Sequence, residues 1–175
     1  MKNSLITLFI FGGLTVGSTL LSIQAIAQSP TKVVRFYCGQ TFDPSTNAIV
    51  PTTLVASSAK REPVALIQWK SKISGKYTPQ VRCNMVSDNF QQAWQAKRLN
   101  YLTAGVDKKS GLGIICGAKD RATSCTRSSM LFTLANGADA TETIERIKDI
   151  KVGNNSIPLP QSAGDGIVDL ESIIN

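Results

Sequence analysis

The side chains with chemical reach in this sequence are four cysteines, a scatter of serine–lysine neighbours and a few carboxylates; histidine is absent. That absence removes Ser-His-Asp and Cys-His nucleophile activation, zincin-type metal sites and imidazole proton shuttling together. Cys38, Cys83, Cys116 and Cys125 show no C-x-x-C spacing, so an even set of this kind reads as disulfides in an exported chain. Three connectivities are open. The favoured pairs are Cys116–Cys125, which closes a short loop, and Cys38–Cys83, which ties the first strand to the middle of the chain. Loop-closure entropy gives them about 2–3 and about 4 kcal/mol respectively. Nothing in the sequence lowers one thiol's pKa over another, so the expected role is structural.

The remaining candidates for catalysis are weak. Ser71-Lys72 and Lys109-Ser110 stand outside any S-x-x-K or G-x-S-x-G setting. Gly111-x-Gly113 is too short for a phosphate loop. Asp43, Glu62, Asp88, Asp107 and Asp120 could pair in space for glycan hydrolysis, but no two are singled out, and Asp88 reads as a helix cap. Asp165, Asp169 and Glu171 lack the EF-hand glycine and ligand spacing. The expectation is a non-enzymatic domain with no cofactor and no metal. The alternative is a small-ligand-binding or hydrolytic domain using a carboxylate or a Ser/Lys site.

Charge gives a stronger pattern. The 175 residues carry 19 Lys+Arg against 12 Asp+Glu, a net +7. Residues 28–59 hold +1, residues 60–127 hold +9 and residues 128–175 hold −4. Such a division suits a cationic face that meets anionic headgroups at about 1 kcal/mol per well-placed Lys or Arg, or an envelope protein. The candidate contacts are Lys70, Lys72, Lys76, Lys97, Arg98, Lys108 and Lys109. Nucleic acid is not expected as a partner: basic residues flank Trp69, Tyr77, Trp94 and Tyr101, yet Trp94 falls on an apolar helical stripe and Trp69 ends an apolar strand, which denies an exposed stacking platform.

These residues need elements to hold them. Residues 1–27 read as a signal peptide: a short positive start at Lys2, an uncharged apolar run over 5–21, and Ala25-Ile26-Ala27 as the cleavage site. Retention as an anchor is the rival reading, since 4–27 is long enough to span a bilayer. The expected location is the periplasm or the outer face of the plasma membrane. Residues 28–160 are the expected domain and 161–175 a C-terminal tail.

Within the domain, 32–38 is a strand, 39–47 turn chemistry, 48–56 an edge or bulged strand containing Pro51, and 63–69 a further strand. Residues 80–85 are expected to pair again. Ser87-Asp88-Asn89 then caps a helix whose apolar stripe is Val86, Phe90, Ala93 and Trp94, with Gln91, Gln92, Gln95 and Lys97 outward. Strands follow over 99–106, 112–116 and 129–134. Asp139-x-x-Glu142 opens a second helix with a stripe of Ala140, Ile144 and Ile147, a Glu142–Arg146 pair and Gly153 as its stop. Ile167, Leu170 and Ile174 suggest a short terminal helix. The class is α+β: a small antiparallel sheet with two helices packed on it, held by disulfides.

Several stretches, taken in order, resemble the circadian oscillating polypeptide (COP domain) family of cyanobacteria. They are Phe36-Tyr37-Cys38-Gly39, Tyr77-Thr78-Pro79-Gln80-Val81-Arg82-Cys83, Val86-Ser87 with Phe90-Gln91, Tyr101-Leu102-Thr103 with Gly105, Ile115-Cys116-Gly117-Ala118, and Leu131-Phe132-Thr133-Leu134. No single word is specific; the ordered set with its four cysteines is. The resemblance implies an exported, peripherally membrane-associated protein with circadian-regulated abundance. It implies no reaction and transfers no catalytic residue.

Overall fold

Ten residues alternating between inward and outward faces make the first strand, β1 (Val34–Asp43), longer than its β-branched and aromatic start alone predicts. A turn over 44–47, with Asn47 in the left-handed region (φ 50°), returns the chain as β2 (Ala48–Ser57); asparagine tolerates that conformation better than most residues. β3 (Val64–Gln68) pairs on the other side of β2, giving an antiparallel sheet in the order β1-β2-β3. The computed structural model describes residues 32–70, 75–149 and 166–175.

β2 is therefore the central strand of its sheet, not an edge, although a bulge does interrupt its pairing with β3 between Thr53 and Leu54. Pro51 is tolerated because its backbone faces β3 where that strand ends: its carbonyl accepts from the Trp69 N–H at 2.9 Å, and no ladder bond to β1 is lost.

The next helix starts well before the expected cap. α1 (Pro79–Gln95) takes Thr78 as its N-cap, whose hydroxyl accepts from the Val81 N–H at 3.3 Å, and Pro79 fills the first helical turn. Thr-Pro is a start signal: the hydroxyl serves an orphan amide, and proline lacks one. The expected strand over 80–85 is thus helix, and Ser87-Asp88-Asn89 lies inside it. Cys83, Val86, Ser87, Phe90 and Ala93 form the buried side. Gln91 departs from its outward reading, since its side-chain Oε1 accepts from the Phe36 N–H at 2.8 Å. The helix ends with Lys97 at φ 56°. The Lys97 N–H returns to the Trp94 carbonyl and the Arg98 N–H to the Ala93 carbonyl, the pattern in which glycine is preferred at the left-handed position.

β4 (Tyr101–Val106), β5 (Gly113–Ala118), β6 (Met130–Thr133) and β7 (Ile167–Asp169) form a second antiparallel sheet, ordered β6-β5-β4-β7. A single 3-10 turn (Arg127–Ser129) precedes β6. α2 (Ala140–Asp149) opens on Asp139, whose carboxylate accepts from the Glu142 N–H at 2.8 Å; Arg146 and Glu142 pair at 2.6 Å. Ala140, Ile144 and Ile147 are buried, as their spacing predicts. The expected stop at Gly153 lies outside the described residues, as does the signal peptide.

Ile167 belongs to a strand, not a terminal helix. β7 pairs with β4 through Tyr101–Asp169, Leu102–Val168 and Thr103–Ile167, and α3 (Glu171–Ile174) then buries Ile173 and Ile174. Residues 166–175, assigned to a tail, complete the sheet and the core. The apolar residues left in this stretch have nowhere else to be covered, and β4's second edge needs a partner.

The α+β class, the antiparallel pairing and the disulfides hold, with the strands divided between two sheets. α1 contacts both: it packs on β1 and β2, and Asn89 donates to the Leu131 carbonyl of β6 at 2.8 Å. One apolar cluster runs through Phe36, Val55, Trp69, Phe90, Phe132, Ile144 and Ile174, with ring pairs Phe36–Phe90 (5.4 Å) and Trp69–Phe132 (5.8 Å). Cys38–Cys83 and Cys116–Cys125 are the disulfides. The described residues between Lys32 and Asn175 belong to one compact unit.

Candidate functional site

The carboxylates that could have paired for hydrolysis are occupied by their own turns. Asp43, 2 % exposed, accepts from the Ser45 N–H and hydroxyl and from the Thr46 hydroxyl (2.6 Å), and Lys70 Nζ lies 2.8 Å from it. Asp107, 7 % exposed, accepts from the Ser110 hydroxyl at 2.7 Å and forms a two-point ion pair with Arg127. The Lys70 ammonium holds the Asp43 carboxyl well below the usual carboxylate range, and the Arg127 guanidinium does the same for Asp107. Asp120 accepts from the Ala122 N–H and the Thr123 hydroxyl. All three follow one spacing, Asp-x-x-Ser/Thr, which puts the hydroxyl back on the carboxylate across a turn. That spacing was readable in the sequence; the distant cations Lys70 and Arg127 were not. Asp88 and Glu62 are exposed, and Asp88 lies on α1 and caps nothing. Ser110 is spent on Asp107, so Lys109-Ser110 is no nucleophile pair.

The two tryptophans are equally committed. Trp69 is 3 % exposed, its indole N–H donates to the Thr53 hydroxyl at 3.0 Å, and Arg82 lies 4.5 Å over its ring. Trp94 packs against Phe36. Neither offers a stacking platform for bases.

The candidate contact cations fall into separate places. Lys97 and Arg98 stand before β4, and Lys108 and Lys109 in the turn after it, so the six residues of β4 keep the two pairs about 20 Å apart. Lys119 and Arg121 lie near the first pair, because the Asn100 side chain donates to the Lys119 carbonyl at 2.9 Å and Arg121 covers the Tyr101 ring. Lys76 lies over Tyr77 beside the start of α1, and Lys70 is tied to Asp43. Lys72 is outside the described residues.

Lys70 and Lys76 share their end of the molecule with exposed apolar side chains. Phe42 and Ile49 are direct cross-strand partners and are 57 % and 68 % exposed. α1 runs antiparallel to β1: Cys83 meets Cys38 while Gln91 meets Phe36, so the helix starts toward the hairpin end. Tyr77, just before the helix, and Val81 and Met85 along its first part are exposed.

Two concavities are open to solvent. One, about 570 Å³, lies between α1 and the outer edge of β1 and is lined by Arg35, Tyr37, Asn84, Asp88, Gln91 and Gln95 among others. The other, about 320 Å³, lies beside β4 and the 121–125 loop. Neither lining contains two carboxylates. Among the described residues no group of three or more metal-binding side chains occurs, and no helix is long and apolar enough to cross a membrane.

The family model described as circadian oscillating protein COP23 matches residues 35–175. The chain belongs to that family. No curated protein and no solved structure matches it. The words that carry the COP23 resemblance now have places: they make β1, the start and inward face of α1, β4, β5 and β6. Two show why their residues are needed. A Cβ on Gly105 would stand 2.8 Å from Cys125 Cβ, so only glycine lets β4 pass under that disulfide. Gln91 supplies the outer edge of β1 with an acceptor that a strand would otherwise provide.

Proposed function

We propose that this COP23-family chain is exported and acts without catalysis, docking peripherally on an anionic membrane surface or on an envelope protein. The observation that carries the reading is the exposed Phe42–Ile49 pair, set at the same end as Lys70, Lys76 and the exposed start of α1. Cations draw a protein to an anionic interface, and exposed aromatic and aliphatic side chains then enter the headgroup region. Two disulfides agree with an oxidising compartment outside the cytoplasm. Release of the signal peptide after Ala27 would leave an N-terminus at Gln28, which mass spectrometry of the cellular protein reads directly. By family, its abundance follows a day–night rhythm.

The test is a membrane wash followed by vesicle sedimentation. High salt or carbonate should release the protein from membranes, and vesicles containing phosphatidylglycerol should sediment it where phosphatidylcholine vesicles do not. Phe42→Ser with Ile49→Ser should weaken vesicle binding several-fold and leave the melting temperature unchanged. A wild-type protein found only in the soluble fraction at low salt, and indifferent to both vesicles, would sink the membrane arm.

A further inference from the structure

Among the described residues the two sheets have four edges, and three of them are short: β3 has five residues, β6 four and β7 three. β1 is the exception. It pairs with β2 over ten residues in unbroken register and has no strand on its other side. Folded proteins blunt long edges with charge, proline or a bulge. Over Cys38–Phe42 the sequence is Cys-Gly-Gln-Thr-Phe, which supplies none of them.

The ladder determines which main-chain groups face outward. The Ser58 N–H donates to the Val33 carbonyl at 2.9 Å, so odd-numbered residues of β1 bond to β2 and even-numbered ones face away. The Phe36 N–H agrees, since it reaches the Gln91 side chain at 2.8 Å. Beyond it, the N–H groups of Cys38 and Gln40 have no partner among the described residues. Gln40 itself is exposed.

The surroundings of this stretch limit what could cover it. The 570 Å³ concavity lies beside residues 35–38, where Gln91 already closes the edge, and its lining on β1 stops at Cys38. The open stretch thus lacks pockets that would read the alternate side chains of a foreign peptide. A second copy needs no such pockets. It brings the same main-chain donors and acceptors, and across residues 38–42 no charge meets a like charge.

We propose that β1 pairs edge to edge with β1 of a second copy, antiparallel about a two-fold axis, with Gln40 facing Gln40 and Cys38 facing Phe42. The two three-stranded sheets then continue as one sheet, and every contact is made twice. The pairing uses main-chain groups and stands apart from the membrane reading.

Sedimentation equilibrium of the disulfide-bonded protein isolated from cells tests the pairing. A monomer–dimer equilibrium should lie within about 1 μM to about 1 mM. Gln40→Pro removes an outward N–H without touching a bond to β2, and Gln40→Lys sets two ammonium groups opposite each other. Each should weaken the dimer about tenfold, the lysine variant less so at high salt, while Gln40→Thr keeps it. Melting curves of the diluted variants confirm that they fold. Amide exchange at Cys38 and Gln40, followed by nuclear magnetic resonance, should slow as concentration rises. Phe36, held by Gln91 in either state, serves as the reference. A monomer at every concentration overturns the pairing, as does a dimer equally tight in all three variants. Cys38 and Gln40 amides protected in a monomer assign the edge to a segment of the same chain and also overturn it. So does co-sedimentation with a different protein whose removal opens those two amides. A monomer that still sediments with phosphatidylglycerol vesicles removes the pairing and leaves the peripheral reading standing.

Discussion

Thr53 sits fully buried in β2, where its hydroxyl accepts from the Trp69 indole at 3.0 Å and from the Ser87 hydroxyl at 3.1 Å. Thr53→Val keeps the shape and removes the common acceptor, so urea unfolding should show a loss of about 2 kcal/mol. At Lys97 the expected sign is opposite. A lysine at φ 56° pays the left-handed penalty at a position suited to glycine, and Lys97→Gly should gain about 0.5–1 kcal/mol at an unchanged denaturant slope. Neither residue was legible beforehand. Thr53 looked like one more β-branched strand residue, and Lys97 like a solvated cation, because a backbone angle and a buried hydroxyl network exist only once distant segments meet. The cysteines were legible, since parity and spacing act through the chain itself.

At the level of elements, both long hairpins begin their turns with a buried aspartate that holds a hydroxyl nearby and a cation from far away. Because the folded-state pKa values of Asp43 and Asp107 are depressed, their stabilisation is fully present above the ordinary carboxylate pKa of about 4 and is lost as pH falls below it. Urea midpoints should therefore fall between pH 5 and pH 3, and Asp43→Asn with Asp107→Asn should flatten that dependence. The disulfides act on different loops. Replacing Cys116 and Cys125 by alanine should cost about 2–3 kcal/mol, and replacing Cys38 and Cys83 about 4, by loop length. Strands with continuous apolar patterning, such as β3, β5 and β6, were readable, as was α2 with its cap. The start of α1 was missed because Val81, Cys83 and Met85 alternate like a strand over a short window. The Thr78-Pro79 start signal, which outweighs that alternation, lies just before it.

For the whole molecule, the +9 of residues 60–127 is a sum over places that do not form one face. Lys97 with Arg98 and Lys108 with Lys109 lie about 20 Å apart across β4, beyond a Debye length of about 8 Å at physiological salt. Charge reversal of each pair should thus change vesicle affinity independently, and the quadruple variant should show the sum of the two effects. A sequence count sees the total and misses the separation. The two ends of the folded unit carry a further consequence. Lys32 hydrogen-bonds Asn175, β7 closes the edge of β4, and Ile173 and Ile174 seal the apolar cluster. While residues 166–175 are not yet in place, the second sheet has an open edge at β4 and a hole where α3 belongs, and a chain waiting at that stage depends on whatever shields that edge.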